Sequence, residues 1–350
     1  MSSSKHILFL VPGFPADEND FNCIPPFQDF LEKFITEYPS TKISVIAFQY
    51  PYQNINYKWN RINIIPLGGK NIRLKKPFIW LRTIREAERI YNSINIDVVH
   101  SLWLGECAMI GNILSKKFGC QHICTLMGQD VKPFNIYLKI IKNSKTKFVA
   151  LSNNQSELFF KLTNRKVDEI IHWGIDDQKL SYQERDIDLL GVGSLIPLKN
   201  YSLFIKTIDE IMKTTPSLKC KLVGTGPESS KLKTMAEAKG REKNIEFTGL
   251  TDRKEIFKLM QRSKILVHPS KFEGAGYVFA EALANGTNIV SFNVGYAQKH
   301  PKWSIANDEQ DFKIITERLL ESELNFEPAN LFPLQETVDR YAALYGISSI

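Results

Sequence analysis

The sequence predicts an α/β protein with two doubly wound, parallel-sheet domains, and three observations support this prediction. Short, β-rich apolar runs alternate with amphipathic segments of helical length along most of the chain. The chain has 350 residues, which is longer than the roughly 100–200 residues of an ordinary domain. A polar stretch without periodicity, residues 177–185, separates two series of such elements and is the predicted linker.

The first series runs to residue 176. Its predicted strands are Ile7–Val11, Ile43–Phe48, Ile62–Pro66, Asp97–His100, His122–Leu126 and Phe148–Ser152. Its predicted helices are Phe27–Tyr38, Lys76–Ile94 and Ala108–Phe118. The loop of residues 12–26 is long and rich in turn residues. Because it follows the first strand, we expect it at the carboxyl edge of the sheet, where ligands bind in such folds.

The second series begins after the linker. Its first predicted strands are Leu189–Gly193, Leu218–Val223 and Ile245–Thr248, and its first predicted helices are Ser202–Met212, Ser229–Lys239 and Arg253–Gln261. A strand at Lys264–His268, a glycine loop, a helix at Tyr277–Ala284 and an apolar run at residues 288–294 follow. A last helix is predicted at Leu334–Tyr345.

The composition is that of an ordinary soluble globular protein, with 43% hydrophobic and 24% charged residues. No apolar run approaches the ~20 residues that a membrane span needs, so we expect neither secretion nor a spanning helix. The five cysteines are scattered and odd in number. Such usage is typical of reduced thiols, and it predicts a cytoplasmic protein.

The glycine loop before the Tyr277–Ala284 helix predicts an anion site. Gly274 and Gly276 let the backbone approach a ligand where the free amides of the helix point outward. Glu281 interrupts an otherwise apolar helix, and burying a polar group without a partner costs about 2–7 kcal/mol. Ligand hydroxyls could serve as that partner, with Glu273 at the mouth of the same pocket. The alternative is that both acids are solvated, but the glycines between them favour a ligand site.

The stretch Phe272–Gly286 resembles the donor-site motif of the retaining glycosyltransferases of family 4 (glycosyl transferases group 1), in which seven residues separate two glutamates. The resemblance implies GT-B architecture, with two Rossmann-like domains facing a cleft. Residues 1–180, joined by the C-terminal segment 331–350, would form the acceptor-side domain, and residues 181–330 the domain that binds a nucleotide-sugar donor. It implies retaining, metal-independent transfer of a hexose-type sugar from a nucleotide-diphosphate sugar to an acceptor hydroxyl, in cell-surface polysaccharide or glycolipid synthesis.

The resemblance also assigns site residues. Glu273 would bind donor-sugar hydroxyls and Glu281 the ribose. Loop backbone would complete the donor site at Gly274, Ala275, Gly276 and Tyr277. A second motif, Gly191–Asn200, has Lys199 as a diphosphate ligand but Ser194 after Gly193, where the family has an arginine.

Two further glycine turns would lie near the nucleotide by the same resemblance, at Gly224 with Gly226 and at Gly249 with Leu250. The first of these turns does not support a dehydrogenase, because Pro227 and Ser229 break the dinucleotide-binding pattern. Both turns could instead simply reverse the chain.

On the acceptor side, residues 125–130 resemble a family stretch that usually reads His-Gly-x-Asp. Gly128 and Asp130 match, and Met127 replaces the histidine. With Gly13 and Phe14 of the first loop, these residues are the predicted acceptor-side contacts. The predicted catalytic residues are Glu273, Lys199 and Asp130.

Other polar residues are predicted to be structural. Asp186 and Asp188 precede their strand, which is the wrong edge of the sheet for a metal site. Cys120, His122 and Cys124 lack the spacing of a zinc site. His100 and His172 are predicted to be core histidines.

The segment Lys70–Arg85 interleaves cations with apolar residues, and Lys139, Lys142, Lys145 and Lys147 add to a net charge of +7. This pattern is compatible with an anionic membrane surface or with an ordinary solvated face. Peripheral contact with the inner membrane face is therefore an expectation. Nucleic acid is not expected, because no nucleic-acid-binding module is recognised.

Three other functions stay open. A nucleotide-sugar epimerase of the same architecture would act on the donor alone. A non-catalytic relative would bind a sugar nucleotide without turnover, as the departures at Ser194 and Met127 permit. A lipid-surface scaffold would bind vesicles and no nucleotide.

Overall fold

The structure, a computed structural model, describes residues 5–20, 23–178 and 184–347. Contacts divide the chain into two compact units. The first comprises Met1–Gly174 and Leu334–Ile350, and the second Ile175–Pro333. The predicted linker at 177–185 lies partly outside the described residues. None of the helices described is both long enough and apolar enough to cross a bilayer.

The described residues of the first unit form an eight-stranded sheet. In chain order its strands are β1 His6–Gly13, β2 Lys42–Tyr50, β3 Tyr57–Trp59, β4 Ile62–Pro66, β5 Val98–Leu102, β6 Gln121–Thr125, β7 Lys147–Ala150 and β8 Glu169–Ile170. Their spatial order is β3-β4-β2-β1-β5-β6-β7-β8. All neighbours are parallel except β3 and β4, which pair antiparallel at the sheet edge.

The described residues of the second unit form a six-stranded, fully parallel sheet. Its strands are β9 Ile187–Val192, β10 Cys220–Val223, β11 Ile245–Gly249, β12 Ser263–His268, β13 Asn288–Phe292 and β14 Trp303–Ala306. Their spatial order is β11-β10-β9-β12-β13-β14. The chain therefore leaves β9 in one direction and returns to its other side at β12, which makes the β9/β12 boundary a topological switch point.

Helices connect the strands of both sheets. They span α1 Pro25–Glu37, α2 Lys76–Ser93, α3 Glu106–Phe118, α4 Ile136–Ile141, α5 Asn153–Thr163, α6 Tyr201–Ile211, α7 Ser229–Ala238, α8 Arg253–Gln261, α9 Tyr277–Ala284, α10 Glu309–Leu320 and α11 Leu334–Tyr345. The predicted fold class, two parallel-sheet α/β domains, is confirmed.

The predicted elements are found within a few residues of their predicted bounds, but several others were not predicted. These are β3, β8, β14, α4, α5 and α10. The first two are strands of only three and two residues, too short to show a repeating pattern. The antiparallel β3 is also an exception to the prediction of an all-parallel sheet.

An aromatic core packs α11 against α1 within the first unit. Phe30 of α1 lies 5.1 Å from Tyr341, and Phe34 lies 5.7 Å from Tyr345, measured between ring centroids. Both tyrosines are fully buried. Aromatic pairs of this geometry stabilise a core by about 0.5–1.5 kcal/mol beyond the area they bury.

His100 lies at the centre of this core, as predicted. Its Nδ1 lies 2.7 Å from the hydroxyl of Tyr345 and its Nε2 lies 2.8 Å from Oγ1 of Thr125. Thr125 in turn lies 2.8 Å from the hydroxyl of Tyr341. Burial lowers the pKa of His100 to about 3, so the imidazole is neutral.

Tyr345→Phe tests this network. The substitution keeps the ring but leaves Nδ1 of His100 without its partner in a dry site, so we expect the free energy of unfolding to fall by about 1–3 kcal/mol. Tyr91→Phe is the control, because the Tyr91 ring is half-buried and stacks on Phe118 at 4.3 Å. Urea denaturation measures both, and an equal loss in the two variants would contradict the proposed role of the hydrogen bond.

Candidate active site

The two predicted donor motifs meet at the switch point of the second sheet. Residues 193–200 follow β9, residues 269–276 follow β12, and the two strands are neighbours. The backbone N–H of Lys271 donates to the carbonyl of Leu198 over 3.0 Å, which holds the loops together. Ligands of open α/β sheets bind outside the carboxyl ends of strands at such a point.

Lys199, Glu273 and His268 form one polar cluster there. Nζ of Lys199 donates to Oε1 of Glu273. Nε2 of His268 lies 2.7 Å from the same oxygen. The lysine and glutamate side chains are 19% and 11% exposed, and the imidazole is fully buried. The structure thus brings together two residues predicted from separate motifs, and it adds His268.

The electrostatics of the cluster keep Glu273 ionised. Burial opposes its charge, but the hydrogen bond from His268 and the charge of Lys199 outweigh burial and lower the pKa of Glu273 to about 2. Burial lowers the pKa of His268, so its ring is neutral. Because a carboxylate only accepts hydrogen bonds, Nε2 of His268 carries the proton and donates it to Glu273.

The N-terminus of α9 opens beside this cluster. Helix α9 has the predicted bounds, and Gly276 precedes it with φ of 76°. A Cβ at Gly276 would lie 2.6 Å from the ring of Phe279. Both the left-handed backbone and the close contact therefore require glycine at the point where the helix amides turn outward.

Glu281 has a protein partner that the sequence analysis missed. Nε of Arg253 donates to Oε1 of Glu281 over 2.9 Å, and Nη2 of the same arginine donates to the Tyr277 hydroxyl over 3.2 Å. The guanidinium also lies 5.4 Å from the Tyr277 ring centroid. The expectation that ligand hydroxyls would satisfy Glu281 is therefore incomplete, since a partly buried ion pair already gives its carboxylate a partner. Asp252, which caps α8, was the sequence signal that places Arg253 at the helix start.

The glycines of the β10 turn have a packing role. A Cβ at Gly224 would lie 2.0 Å from the carbonyl oxygen of Gly193, and one at Gly226 would lie 2.4 Å from that of Leu195. The turn after β10 therefore packs directly on the turn after β9. Their contact with a nucleotide stays a prediction, as does that of Gly249 and of Leu250, whose side chain is exposed.

In the first unit, Asp130 holds two loops together. Its carboxylate accepts hydrogen bonds from the backbone N–H groups of Leu104, Met127 and Gly128, with shortest distances of 2.7, 3.1 and 2.7 Å. Burial raises the pKa of Asp130, and the amide donors oppose that shift. These contacts give Asp130 a structural role, and its predicted catalytic role stays a prediction.

Phe14, a predicted acceptor-side residue, has its ring in the core. The ring is fully buried and lies 5.8 Å from Phe27 and 5.3 Å from Trp59 between centroids. Its backbone N–H already donates to the carbonyl of Tyr50 over 3.1 Å, and Gly13 is buried as well. Phe14 is therefore not exposed to an acceptor, contrary to the prediction.

The acids predicted to be structural are engaged in ion pairs. Asp186 pairs with Arg262, and Asp188 lies 2.7 Å from Nζ of Lys264. His122 lies 2.9 Å from Oγ of Ser101 through Nε2 and contacts a threonine through Nδ1. These residues pair within their own units, as a structural role requires.

Comparison with known proteins agrees with this geometry. Residues 174–300 match the model of the family described as Glycosyl transferases group 1. The match confirms the resemblance drawn from residues 272–286, and it does not specify retention.

Relatives from other organisms match parts of the chain. An uncharacterised glycosyltransferase of Methanocaldococcus jannaschii is 27% identical over 59% of this chain and 59% of its own length. The poly(glycerol-phosphate) alpha-glucosyltransferase of Bacillus subtilis is 25% identical over 43% of this chain and 21% of its own length. The chain thus spans less than two thirds of these curated relatives.

Among solved structures, Anabaena HepE in complex with UDP and glucose is similar with a TM-score of 0.68. It is 16% identical, over 95% of this chain and 92% of that one. At this identity the similarity concerns the fold, which is GT-B.

The pH dependence of stability tests the Glu273 cluster. The pKa of Glu273 is lower in the folded protein than its ordinary value of 4.5. The ionised pair therefore stabilises the fold above that value, and the stabilisation is lost as the pH falls toward about 2. We expect Glu273→Gln to lower the free energy of unfolding by about 1–3 kcal/mol at neutral pH.

Urea denaturation at a series of pH values measures this effect. The difference between the parent protein and Glu273→Gln should shrink as the pH falls below the ordinary glutamate pKa. Glu323→Gln, at an exposed position, is the control and should change stability little at any pH. A difference that stays constant across the acid range would show that Glu273 does not stabilise the fold as an ion.

Proposed function

We propose that the protein is a retaining glycosyltransferase, which moves a sugar from a nucleotide-diphosphate sugar to an acceptor hydroxyl. The premise is the group 1 match over residues 174–300. The observation that carries the proposal is the cluster of Lys199, Glu273 and His268 beside the open N-terminus of α9. A cation and a helix N-terminus both favour a diphosphate, because each presents positive charge to an anion.

In the proposed reaction the bond between the anomeric carbon and the diphosphate oxygen breaks, and its electron pair leaves with the diphosphate. The acceptor oxygen bonds to the anomeric carbon, and its proton passes to a phosphate oxygen of the leaving group. We infer from the family resemblance that the acceptor attacks on the same face of the sugar from which the diphosphate leaves. Lys199 and the α9 amides would stabilise the charge that develops, at about 3–4 kcal/mol per donor group.

Lys199 can serve both Glu273 and a phosphate. An ammonium group has three N–H donors, and among the residues that the structure describes Lys199 uses one of them on Glu273. In the proposal, Glu273 also accepts from donor-sugar hydroxyls and Glu281 from the ribose. The positive groups around the diphosphate would act without a metal ion. Asp130, Met127 and Gly128 stay the proposed acceptor side.

We propose a UDP-sugar as donor and a saccharide or lipid-linked saccharide as acceptor. HepE has been solved in complex with UDP and glucose, and the Bacillus relative is a poly(glycerol-phosphate) alpha-glucosyltransferase. These similarities support a place in polysaccharide or glycolipid synthesis. A position at the cytoplasmic side of the membrane is part of the proposal. Contact of residues 70–85 with anionic lipid is part of the same proposal, because a lipid-linked acceptor lies in a bilayer.

One other function is favoured by specific residues. Ser194 is exposed and supplies no cation, and Met127 stands where the family has histidine. A non-catalytic sugar-nucleotide-binding protein would show these departures. It would bind a donor and release no nucleotide with any acceptor extract.

A thermal-shift screen of nucleotide sugars tests donor binding, since a ligand that binds only the folded state raises its stability. We expect UDP-glucose or a related UDP-sugar to raise the melting temperature of the parent protein. The shift should be much smaller in Lys199→Ala. No shift with any nucleotide sugar would overturn the proposed function.

Turnover tests catalysis separately. Glu273→Ala and Lys199→Ala are each expected to lower nucleotide release in the presence of acceptor at least tenfold, because each removes a group proposed to contact the donor. Lys213→Ala is the matched control, since Lys213 and Glu210 form a fully exposed pair 2.9 Å apart in the same unit. Circular dichroism confirms folding. Normal rates in both site variants would rule out the assignment.

A further inference from the structure

Two segments of the first unit contain cations and no acids. Residues 70–85 contain six lysines and arginines, and residues 131–147 contain five lysines, without one aspartate or glutamate. The net charge of the chain is +7. These two segments therefore account for more than the whole positive excess of the protein.

Both segments expose large apolar side chains among those cations. Leu74 and Phe134 are each 92% exposed. Phe78 and Leu81 on α2, and Ile136 and Ile140 on α4, are exposed by more than half. Single exposed apolar side chains are common in soluble proteins. A cluster of them on neighbouring elements of one surface is unusual and indicates an interaction site.

Glu106 holds the first segment against α3. Its carboxylate accepts from Nε1 of Trp80 over 2.8 Å and lies 3.7 Å from Nζ of Lys76. It also accepts from Nε2 of Gln49 over 2.7 Å, and Oε1 of that glutamine accepts from the N–H of Asn71 over 2.9 Å. This half-buried acid therefore fixes both the loop and the first turns of α2.

The second segment, residues 131–147, contacts the same end of α3 as the first. Nδ2 of Asn135 donates to the carbonyl of Leu104 over 2.8 Å and to that of Asp130 over 2.7 Å. Helix α4 packs on α3. Burial, and after it the nearby charge of Glu106, raise the pKa of Tyr137. Both segments therefore begin beside the N-terminal end of α3.

We infer that residues 70–85 and 132–142 form one surface, the docking surface, that binds an anionic phospholipid bilayer. Leu74, Phe78, Phe134 and Ile136 would enter the headgroup layer, and the lysines would meet lipid phosphates. The inference rests on the membrane contact in the proposed function. It deepens that contact by adding the second segment and the acid that joins the two.

Charge distinguishes a bilayer from a second copy of this chain. In a symmetric dimer the same patch faces itself, so the cations of the docking surface would oppose one another. An anionic bilayer complements them instead. The docking surface also borders the proposed acceptor side, because Asn135 binds the backbone of Asp130. A lipid-linked acceptor would thus emerge beside the residues proposed to meet it.

Vesicle flotation tests the inference with the full chain. The parent protein should bind phosphatidylcholine vesicles that contain phosphatidylglycerol, bind pure phosphatidylcholine weakly, and lose binding at high salt. The double substitution Leu74→Ser with Phe134→Ser should lower binding about tenfold or more. Lys75→Gln with Lys139→Gln should lower it roughly fivefold for each lysine removed.

Matched controls lie in the same unit. Phe160→Ser removes an exposed phenylalanine of α5 and Lys58→Gln an exposed lysine of β3, and both should bind vesicles as the parent does. Because the side chains of Leu74 and Phe134 are almost fully exposed and pack on little of the protein, the melting temperature of the double variant should equal that of the parent. Normal vesicle binding by the Leu74/Phe134 variant would overturn the inference. So would self-association of the parent that this variant abolishes, in the absence of vesicle binding.

The same samples separate this inference from the proposed function. The thermal shift by UDP-glucose should be the same in the parent and in the docking-surface variants, since none of these residues lies in the donor site. A rise in melting temperature with UDP-glucose, without vesicle binding, would overturn the docking surface and leave the transferase proposal intact. Vesicle binding without a rise in melting temperature with any nucleotide sugar would overturn the transferase proposal and leave the docking surface intact.

Discussion

The candidate site depends on keeping one carboxylate ionised where little water reaches it. Glu273 is 11% exposed, and burial alone would favour its neutral form. The adjacency of β9 and β12 resolves this conflict, because it brings Lys199 from one strand end and His268 from the other to the same oxygen. Both partners are side chains of the protein, so the protein itself balances the charge of Glu273.

The same principle extends along α9. An unpaired carboxylate at Glu281 would destabilise the apolar helix α9. Arg253 of the neighbouring helix α8 offsets this loss of stability by donating a hydrogen bond to it. Glu273, in the loop before α9, and Glu281, within α9, are thus each paired with a cation from another loop or helix. Fixed charges of this kind stabilise a developing charge without reorganising during the reaction, which is why such sites are effective for group transfer.

Local pattern was enough to predict the parts of the fold that local pattern determines. The bounds of α8, α9 and α11 agree with prediction because capping residues, glycine and a regular apolar face mark them. The missed helix α10 carries an equally readable cap, Asp308, so that omission was avoidable. Local pattern did not predict which side chains pair with the acids of the candidate site. His268 and Arg253 contact the predicted acids across the turns of the fold, and no periodicity in the sequence indicates such pairs.

Glycines show most clearly where sequence reasoning stops. Gly224, Gly226 and Gly276 all stand in strand-to-helix turns, and a motif treats them alike. In the structure the first two let one turn pack on another, with hypothetical Cβ contacts of 2.0 and 2.4 Å to backbone oxygens. Gly276 instead precedes α9, where a Cβ would meet the ring of Phe279 in its own helix. The packing of Gly224 and Gly226 depends on backbone atoms of the turn after β9, which lies elsewhere in the sequence, so a motif alone does not indicate it.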